Sequence, residues 1–563
     1  MAEKLIIYQC FPRLLTNSCA TPVHDGTLAQ NGCGKFNEIT PRVLKSIKEL
    51  GVNCIWYTGV IEHATKTAFP GIPADHPKVV KGEAGSPYAI KDYYDVAPSL
   101  AEDVDNRMQE FEALIKRTHS AGMKVLIDFV PNHTARRYHS DVAPKGIEDF
   151  GASDDTTRFF SPSNNYYYAT NQQFSPHFDI GDYREFPAKA TGNDAFHAFP
   201  GEYDWYETAK LNYGVDYGDG SRHFDPIPST WLKMLHILRF WAGKGVNGFR
   251  CDMVFMVPLE FWHWVIPQVK KDYPHIIFIG EIYDIGQYRS FLDYGCFDYL
   301  YDKVNLYDTL VGIERYNRST AQLTGCWQTV EGIAPRMLNF LENHDEVRFG
   351  SREYADDPSK VLAPLVVSAM MNTAPFMIYY GQELGERATD NEGFAGDNNR
   401  TTIFDYWSLD TLRRWYNNGK PKPNGSQLTS KEQWLRSLYA KVLTLCNKEK
   451  AISEGSFFDL MYVNLSNPDF NPHRHFAFLR HHGEETLIIA VNFSGDEANM
   501  KINIPADAFR MLEMPLGKLP MTELLTGRRV DKELLIEKPF CTTVEPYGAV
   551  IWKVKHPKTS SKK

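Results

Sequence analysis

The chain has 563 residues, 43% of them hydrophobic and 23% charged, and it carries a formal net charge of −9. This length exceeds what one small core can organise, and it predicts a large central domain with one or two smaller ones. The acidic balance, without a basic stripe, excludes the usual electrostatic signature of a nucleic-acid-binding protein. We therefore expect no nucleic acid partner.

Targeting and membrane signals are also missing from the pattern. The N-terminal stretch "MAEKLIIYQCFPR" lacks the charged region, long apolar segment and cleavage site of a secretory signal. The least polar stretch, residues 361–381, is interrupted by Pro364 and Pro375, which favours a buried helix followed by a buried strand over a membrane span. Nine cysteines without CxxC or metal-ligand spacing predict free thiols in a reducing compartment. We expect a cytoplasmic protein with no membrane partner.

In chain order, an opening strand "LIIYQCF" is followed by a repeated phrase of amphipathic helix, glycine and short apolar strand. The phrase occurs at residues 41–59, 108–130 and 231–252, and the glycine suits the left-handed position that closes a helix. Further strands are read at "HIIFIGE", "RMLNFLENHD" and "PFMIYYGQE", with a weaker one near "GCFDYLY". Eight strands alternating with helices predict the α/β class and a (β/α)₈ TIM barrel. A doubly wound open sheet is the alternative, although no Gly-rich phosphate loop follows the first strand.

Two regions depart from this alternation. Residues 134–225 are polar and aromatic with little helical period, which predicts a domain inserted after the third strand. Residues 449–556 show short alternating strands with turn residues, which predicts an antiparallel β-sandwich. The barrel is then formed by residues 1–133 and 226–448, and residues 557–563 are expected to be a disordered tail.

Carboxylates collect at the predicted strand ends, where barrel enzymes place their chemistry. Asp252, Glu281 and Asp345 each follow an apolar run, and Asp128 lies near the end of the third strand. Arg250 stands two residues before Asp252, so both side chains share one face of a strand. Each acid alone could be a structural ion pair. Together they are too costly to bury without being paired or used, and they indicate an active site.

Four of these segments, "DFVPNH", "GFRCDMVFM", "GEIYD" and "FLENHD", resemble the conserved regions of the α-amylase family of glycoside hydrolases, in that family's order. "YQCFPR", "SPYAIKDYYDV" and "TAPFMIYYGQELG" are further matches. The resemblance implies a barrel with an inserted B domain and a C-terminal sandwich, and a retaining glycosidase acting through a double displacement. It also implies that the chemistry needs no cofactor.

The resemblance assigns a role to each matching residue. Asp252 would be the nucleophile, Glu281 the acid and base, and Asp345 a group that binds the transition state more tightly than the substrate. Arg250 would hold Asp252 ionised, and Tyr88 would stack under the sugar ring. The expected substrate-binding residues are Tyr88, Asp128, His133, Lys210, Arg250 and His344.

Three features of the sequence depart from or refine the pattern. Phe255 and Met256 stand where many α-amylases have Lys-His, so contacts on the leaving-group side must differ. Asn132 matches a calcium-binding position of the family, which leaves open either a structural calcium ion or a purely hydrogen-bonding role. "TAKLN", which contains Lys210, resembles a region of the neopullulanase and cyclomaltodextrinase group.

The expected function is hydrolysis of α-1,4-glucosidic bonds in maltooligosaccharides, starch-like glucans or related α-glucans. A 4-α-glucanotransferase or an exo-acting α-glucosidase would use the same residues, because the fate of the intermediate depends on loops. A non-catalytic glucan-binding protein is a third reading. It is disfavoured because all three acidic positions are retained. The oligomeric state is left open.

Overall fold

A closed barrel of parallel strands forms the centre of the molecule. The computed structural model describes residues 3–394, 396–419, 423 and 425–555. The strands of the barrel are β1 Ile6–Cys10, β2 Cys54–Tyr57, β3 Lys124–Phe129, β4 Gly248–Cys251, β5 Ile277–Gly280, β6 Tyr299–Tyr301, β7 Met337–Phe340 and β8 Phe376–Tyr379. Each strand pairs with the strands before and after it in this order, and β1 closes the ring against β8 through the pairing of Ile6 with Phe376. The predicted (β/α)₈ barrel is confirmed.

The apolar character of these strands follows from their position between the barrel interior and the outer helices. Every residue of β1, β2, β4, β7 and β8 is buried. Parallel strands covered on both faces need apolar side chains on both faces. The longer outer helices are Pro41–Lys48, Arg107–Ser120, Ser229–Gly243, Leu259–Asp272, Tyr288–Asp293, Asp308–Tyr316, Gln322–Thr329, Leu362–Met370 and Ser430–Lys448.

Glycines end the helices of the repeated phrase, as predicted. Gly51, Gly122 and Gly245 have φ of 92°, 74° and 100°, a left-handed region that other residues rarely adopt. A Cβ atom at Gly51 would lie 2.8 Å from the backbone nitrogen of Thr444, so this turn also has no space for a side chain. The turn therefore packs directly against the helix Ser430–Lys448.

Two short additions to the barrel carry residues towards its mouth. After β2, the strand Ile61–His63 pairs with Ile90–Val96 and encloses the loop that contains Tyr88. After β3, the strand His133–Ala135 pairs with Thr208–Lys210, which brings the two ends of the inserted segment together. Within the inserted segment, Tyr168–Ala169 pairs with Ala188–Lys189. The limits 134–225 stay a prediction.

The C-terminal part is antiparallel. Its strands are β9 Ser456–Asp459, β10 His475–His482, β11 Glu485–Asn492, β12 Ala498–Ile502, β13 Gly517–Glu523, β14 Arg529–Leu534, β15 Phe540–Val544 and β16 Ala549–Lys555. Among the described residues, six of them form a sheet in the order β9-β10-β11-β16-β13-β14, and β12 pairs with β15 in a separate two-stranded sheet. The predicted sandwich is confirmed. Its limits 449–556 stay a prediction, and the predicted tail 557–563 lies outside the described residues.

The apolar stretch 361–381 forms a buried helix, Leu362–Met370, followed by β8, as predicted. In the described part of the chain, no helix combines the length and apolar character needed to cross a bilayer. The nine cysteines all lie in described segments, and each is a free thiol.

Candidate active site

One guanidinium lies between four carboxylates at the carboxyl-terminal end of the barrel. Arg250 Nη1 is 2.8 Å from Asp252 Oδ1, and its Nη2 is 2.8 Å from Glu281 Oε2. Asp345 and Asp128 are each 3.8 Å from the same guanidinium. Asp252 and Glu281 directly follow β4 and β5, which are hydrogen-bonded neighbours, so the barrel itself brings them together. The predicted acids therefore form one cluster.

Buried aromatic residues hold Arg250 in place. It is 1% exposed, and its Nε donates to the hydroxyl of Tyr301 at 3.2 Å. Its guanidinium also lies over the rings of Trp56 and Tyr88, 5.3 and 5.4 Å from their centroids. Burial opposes its charge, but the carboxylate of Glu281 and the other acidic groups around it raise the pKa of Arg250 well above its usual value. The cluster thus contains a permanent positive charge.

The charge of Asp252 depends on that of its neighbour. Burial raises the pKa of Asp252 well above its usual range, the negative charge of Glu281 raises it further, and Arg250 opposes both effects. Two carboxylates on one guanidinium cannot both ionise easily in a buried site. The arrangement therefore suits a site in which one carboxyl holds a proton while the other is charged.

Glu281 is oriented by two donors. The backbone N–H of Met253 donates to Oε2 at 2.9 Å, and the hydroxyl of Tyr283 donates to Oε1 at 2.5 Å. Met253 has φ 43° and ψ 49°, a left-handed conformation that is strained for a methionine and turns its N–H towards Glu281. Tyr283 could have been found from "GEIYD", where it stands two residues after Glu281. Nothing in the sequence signals the conformation of Met253.

Tyr88 and His344 form a stacked pair above Asp128. Their ring centroids are 5.2 Å apart with an angle of 19° between the planes, and the Tyr88 hydroxyl lies 2.6 Å from His344 Nε2. The Tyr88 hydroxyl also donates to Asp128 Oδ1 at 3.2 Å. Burial and then the charge of Arg250 lower the pKa of His344 well below its usual value. A neutral imidazole 3.1 Å from Asp345 can donate a hydrogen bond but adds no net charge.

His133 is the second histidine at the cavity wall. It is 3% exposed, and burial followed by the charge of Lys210 lowers its pKa to about 3. Its ring lies 5.4 Å from that of Trp205. Like His344, it is a neutral hydrogen-bonding group at ordinary pH.

These groups line a cavity of about 440 Å³. Of the predicted residues, the cavity wall contains Tyr88, His133, Asp252, Glu281 and Asp345. Arg250, Asp128 and His344 support the wall from behind through the contacts above. Sequence reasoning missed several wall residues, which are Lys81, Trp205, Glu207, Met253, Tyr283, Lys303 and Phe404. Trp205 and Glu207 precede "TAKLN" by a few residues, and this proximity was the available signal.

Lys210, which was expected to bind substrate, does not line the catalytic cavity. Its ammonium is 2.5 Å from Asn132 Oδ1, 2.6 Å from Asp194 Oδ1 and 3.1 Å from the Met256 carbonyl oxygen, and the residue is 2% exposed. Carboxylate, amide and carbonyl oxygens are the ligands that calcium prefers. Here, however, an ammonium fills the space between them. Calcium at Asn132 would have to displace Lys210, so the donor set does not fit calcium as it stands.

A second acidic cluster lies outside the cavity. Carboxylate oxygens of Glu62, Asp92 and Asp95 lie within 4.8 Å of one another, and all three residues are buried. Asp95 pairs with Arg107 at 2.5 Å, whereas one carboxylate oxygen of Glu62 has no hydrogen-bond partner among the described residues. Burial and then the charges of Asp92 and Asp95 raise the pKa of Glu62 to about 8. This cluster does not line the cavity.

Comparison with known proteins gives a consistent result. The sequence model of the α-amylase catalytic domain matches residues 9–458. Alpha-amylase 3 of Dictyoglomus thermophilum is 25% identical over 65% of this chain and 68% of its own length. Neopullulanase 2 of Thermoactinomyces vulgaris is 22% identical over 68% of this chain, which spans 57% of that protein.

Solved structures share the fold along nearly the whole chain. A maltogenic α-amylase of Thermotoga neapolitana superposes with a TM-score of 0.63 at 19% identity, covering 98% of this chain and 99% of the other. An α-amylase of Geobacillus thermoleovorans, solved with acarbose, gives a TM-score of 0.63 at 18% identity, with 99% of each chain covered.

Proposed function

Because the chain belongs to the α-amylase family of glycoside hydrolases, as its motifs predicted, we propose that it cleaves α-1,4-glucosidic bonds with retention of configuration. The substrates are maltooligosaccharides, starch-like glucans or related α-glucans. The observation that carries this proposal is the pair of short contacts from Arg250 to Asp252 and Glu281. Carboxylates on the two terminal nitrogens of one guanidinium lie close together. Retaining enzymes separate theirs by about 5–5.5 Å, and inverting enzymes by about 6.5–9.5 Å.

In the first step, the carboxylate of Asp252 attacks the anomeric carbon, and the bond from that carbon to the leaving oxygen breaks. Glu281 transfers its proton to the leaving oxygen, which departs as a hydroxyl. The product is a covalent β-glycosyl ester on Asp252 and a charged carboxylate on Glu281. Proton loss from Glu281 restores negative charge beside Arg250, which offsets the charge that Asp252 loses.

In the second step, Glu281 takes a proton from water while the water oxygen attacks the anomeric carbon. The ester bond to Asp252 breaks, and both carboxyls return to their starting states. Met253 and Tyr283 keep Glu281 in one orientation through both proton transfers. Asp345, at the cavity wall, would bind ring hydroxyls more strongly as the sugar flattens towards an oxocarbenium ion.

The surrounding residues would position the sugar. The neutral His133 would donate a hydrogen bond to a hydroxyl group, and Tyr88 would support the apolar face of the ring. For His344, which was expected to bind substrate, we propose that it acts from behind the wall by positioning Tyr88 and Asp345. For Lys210 we propose a structural role in place of direct substrate contact, because its ammonium already binds three protein oxygens. It would hold the end of β3 to the inserted segment.

The part of the site that would hold the leaving group has a feature that favours the alternative transferase activity. The ring of Phe255 lies 6.4 Å from that of Tyr283, which touches Glu281, so an acceptor near the acid would meet two aromatic rings. Stacking of a sugar on these rings would compete with water for the glycosyl ester. The same residues would then join sugars in place of hydrolysing them.

One experiment tests the proposal. Maltotriose through maltoheptaose, cyclodextrins, pullulan and starch are incubated with the protein, and products are followed by chromatography and by ¹H NMR of the new anomeric centre. We expect shorter maltooligosaccharides whose first-formed anomer is α. First-formed β anomers would contradict retention. Products longer than the substrate would identify the transferase, and glucose alone from the start would identify an exo-acting glucosidase.

A further inference from the structure

A second, larger cavity adjoins the catalytic one. We call it the outer cavity. It has a volume of about 860 Å³, which lies within the range of roughly 300–1,000 Å³ typical of ligand sites. Lys81 lines both cavities. Phe394 of the outer cavity packs edge-to-face on Phe404 of the catalytic cavity at 5.3 Å. Tyr206 of the outer cavity stands in sequence between Trp205 and Glu207 of the catalytic one. The two spaces therefore share one wall.

The outer cavity presents aromatic rings that the fold leaves uncovered. Tyr203 is 92% exposed and Phe394 is 47% exposed. In the same lining, Phe178 and Tyr206 pack edge-to-face at 4.6 Å, and the Lys81 ammonium lies 5.1 Å from the Tyr206 ring centroid. Exposed aromatic rings that border a concave surface mark a binding site. Flat aromatic faces suit the apolar C–H face of a sugar.

The lysines of the outer cavity are paired with carboxylates of the protein. Lys66 pairs with Glu83 at 2.9 Å, and Lys78 pairs with Asp179 at 3.3 Å. Lys81 pairs with Glu207 at 3.0 Å, and this pair is largely buried. Each lysine of the cavity thus has a carboxylate partner. A phosphate would have to compete with the carboxylates for these lysines, whereas a neutral ligand rich in hydroxyl groups would hydrogen-bond to the pairs without breaking them.

We propose that the outer cavity binds additional glucose units of the linear α-1,4-glucan whose scissile bond lies at Asp252 and Glu281, with Tyr203 and Phe394 as stacking platforms. This inference rests on the proposed function and specifies its substrate class. Units bound in the outer cavity add affinity without touching the reacting atoms. The enzyme then acts on chains in preference to maltose-sized substrates.

Two substrates of different length test this proposal. The values of kcat and KM are measured for 4-nitrophenyl α-maltoside and for maltoheptaose, with the wild type, Tyr203→Ala, Phe394→Ala and the double variant. For the double variant we expect kcat/KM on maltoheptaose to fall about tenfold, mainly through KM, and to change less than about twofold on the short substrate. Tyr462→Ala, which removes a tyrosine 55% exposed in the C-terminal part, is the matched control and should change neither value.

In a folded double variant, an unchanged ratio of kcat/KM for maltoheptaose to kcat/KM for the short substrate would overturn the inference. The proposed function would stay intact. A wild type inactive on every glucan would contradict the proposed function instead. In that case, calorimetric binding of maltoheptaose to Asp252→Asn tests the cavity separately. Binding that weakens about tenfold when both Tyr203→Ala and Phe394→Ala are added supports the site, and binding that is absent or unaffected overturns it.

Discussion

The molecule has two clusters of carboxylates, one around Arg250 at the end of the barrel and one formed by Glu62, Asp92 and Asp95 in the paired strands Ile61–His63 and Ile90–Val96 outside it. In the first, a single guanidinium contacts Asp252 and Glu281 at 2.8 Å, and the acids face a cavity. In the second, Arg107 pairs with Asp95, and none of the three acids lines the catalytic cavity. The comparison teaches that close carboxylates do not by themselves make a site. A shared counterion and open space in front of the acids distinguish the first cluster.

The largest effect is expected from replacing Asp252, the proposed nucleophile. Asp252→Asn should lower kcat on maltoheptaose by at least about 10³-fold, because the amide cannot form the glycosyl ester. Thermal unfolding should show a Tm near the wild-type value, since the change also removes charge repulsion from Glu281. Asp92→Asn, in the second cluster, is the matched control and should retain kcat within about twofold. Equal loss of kcat in both variants would remove the distinction between the clusters.

The two arginines offer a second comparison. Arg250→Met should abolish measurable turnover and cost about 3–5 kcal/mol of unfolding free energy, because it leaves buried carboxylates without their cation. Arg107→Met should also lower stability, but its kcat should stay within about twofold of wild type. Urea unfolding and initial rates measure both effects. A folded Arg250→Met variant with normal turnover would contradict the central role of this guanidinium.

The second cluster should be visible in the pH dependence of stability. Glu62 has a folded pKa of about 8 against an ordinary value of 4.5, so between these values the folded state holds a proton that the unfolded state has lost. Its contribution to stability therefore falls as pH rises through this window, by at most about 1.4 kcal/mol per pH unit. Glu62→Gln should remove this decline in urea unfolding between pH 5 and 8.5. Glu537→Gln, at an exposed position, should leave the curve parallel to wild type, and a parallel curve for Glu62→Gln would contradict the assignment.

The smallest effect is expected when a calcium chelator is added to the wild-type protein. With Lys210 bound to Asn132, Asp194 and the Met256 carbonyl, a chelator should change the wild-type Tm by less than about 1 °C. Lys210→Ala should be destabilised, because Asp194 loses its partner. A clear fall in the wild-type Tm with chelator, reversed by added calcium, would show that a metal ion contributes after all.

The strand pattern predicted the barrel and the meeting of Asp252, Glu281 and Asp345, because the ends of parallel strands converge wherever the barrel closes. The same logic could not predict Lys210, whose partners Asn132, Asp194 and Met256 come from three distant segments. It also missed Trp205, Tyr203 and Glu207, since loops of the inserted segment have no periodic signal. The motif identified Lys210 as a residue of interest, but it did not predict that the Lys210 ammonium binds protein oxygens. Substrate contact by Lys210 and the cellular location stay predictions, and the oligomeric state stays open.

The ammonium of Lys210 has one more consequence. A bound ion is held by mass action, and it leaves when its concentration outside falls below its dissociation constant. A cation attached to the backbone has a fixed effective concentration at its site, set by the chain and independent of dilution. The junction between β3 and the inserted segment therefore cannot be emptied by dilution. We expect the cavity wall that contains His133 to keep its shape at any calcium concentration in the medium.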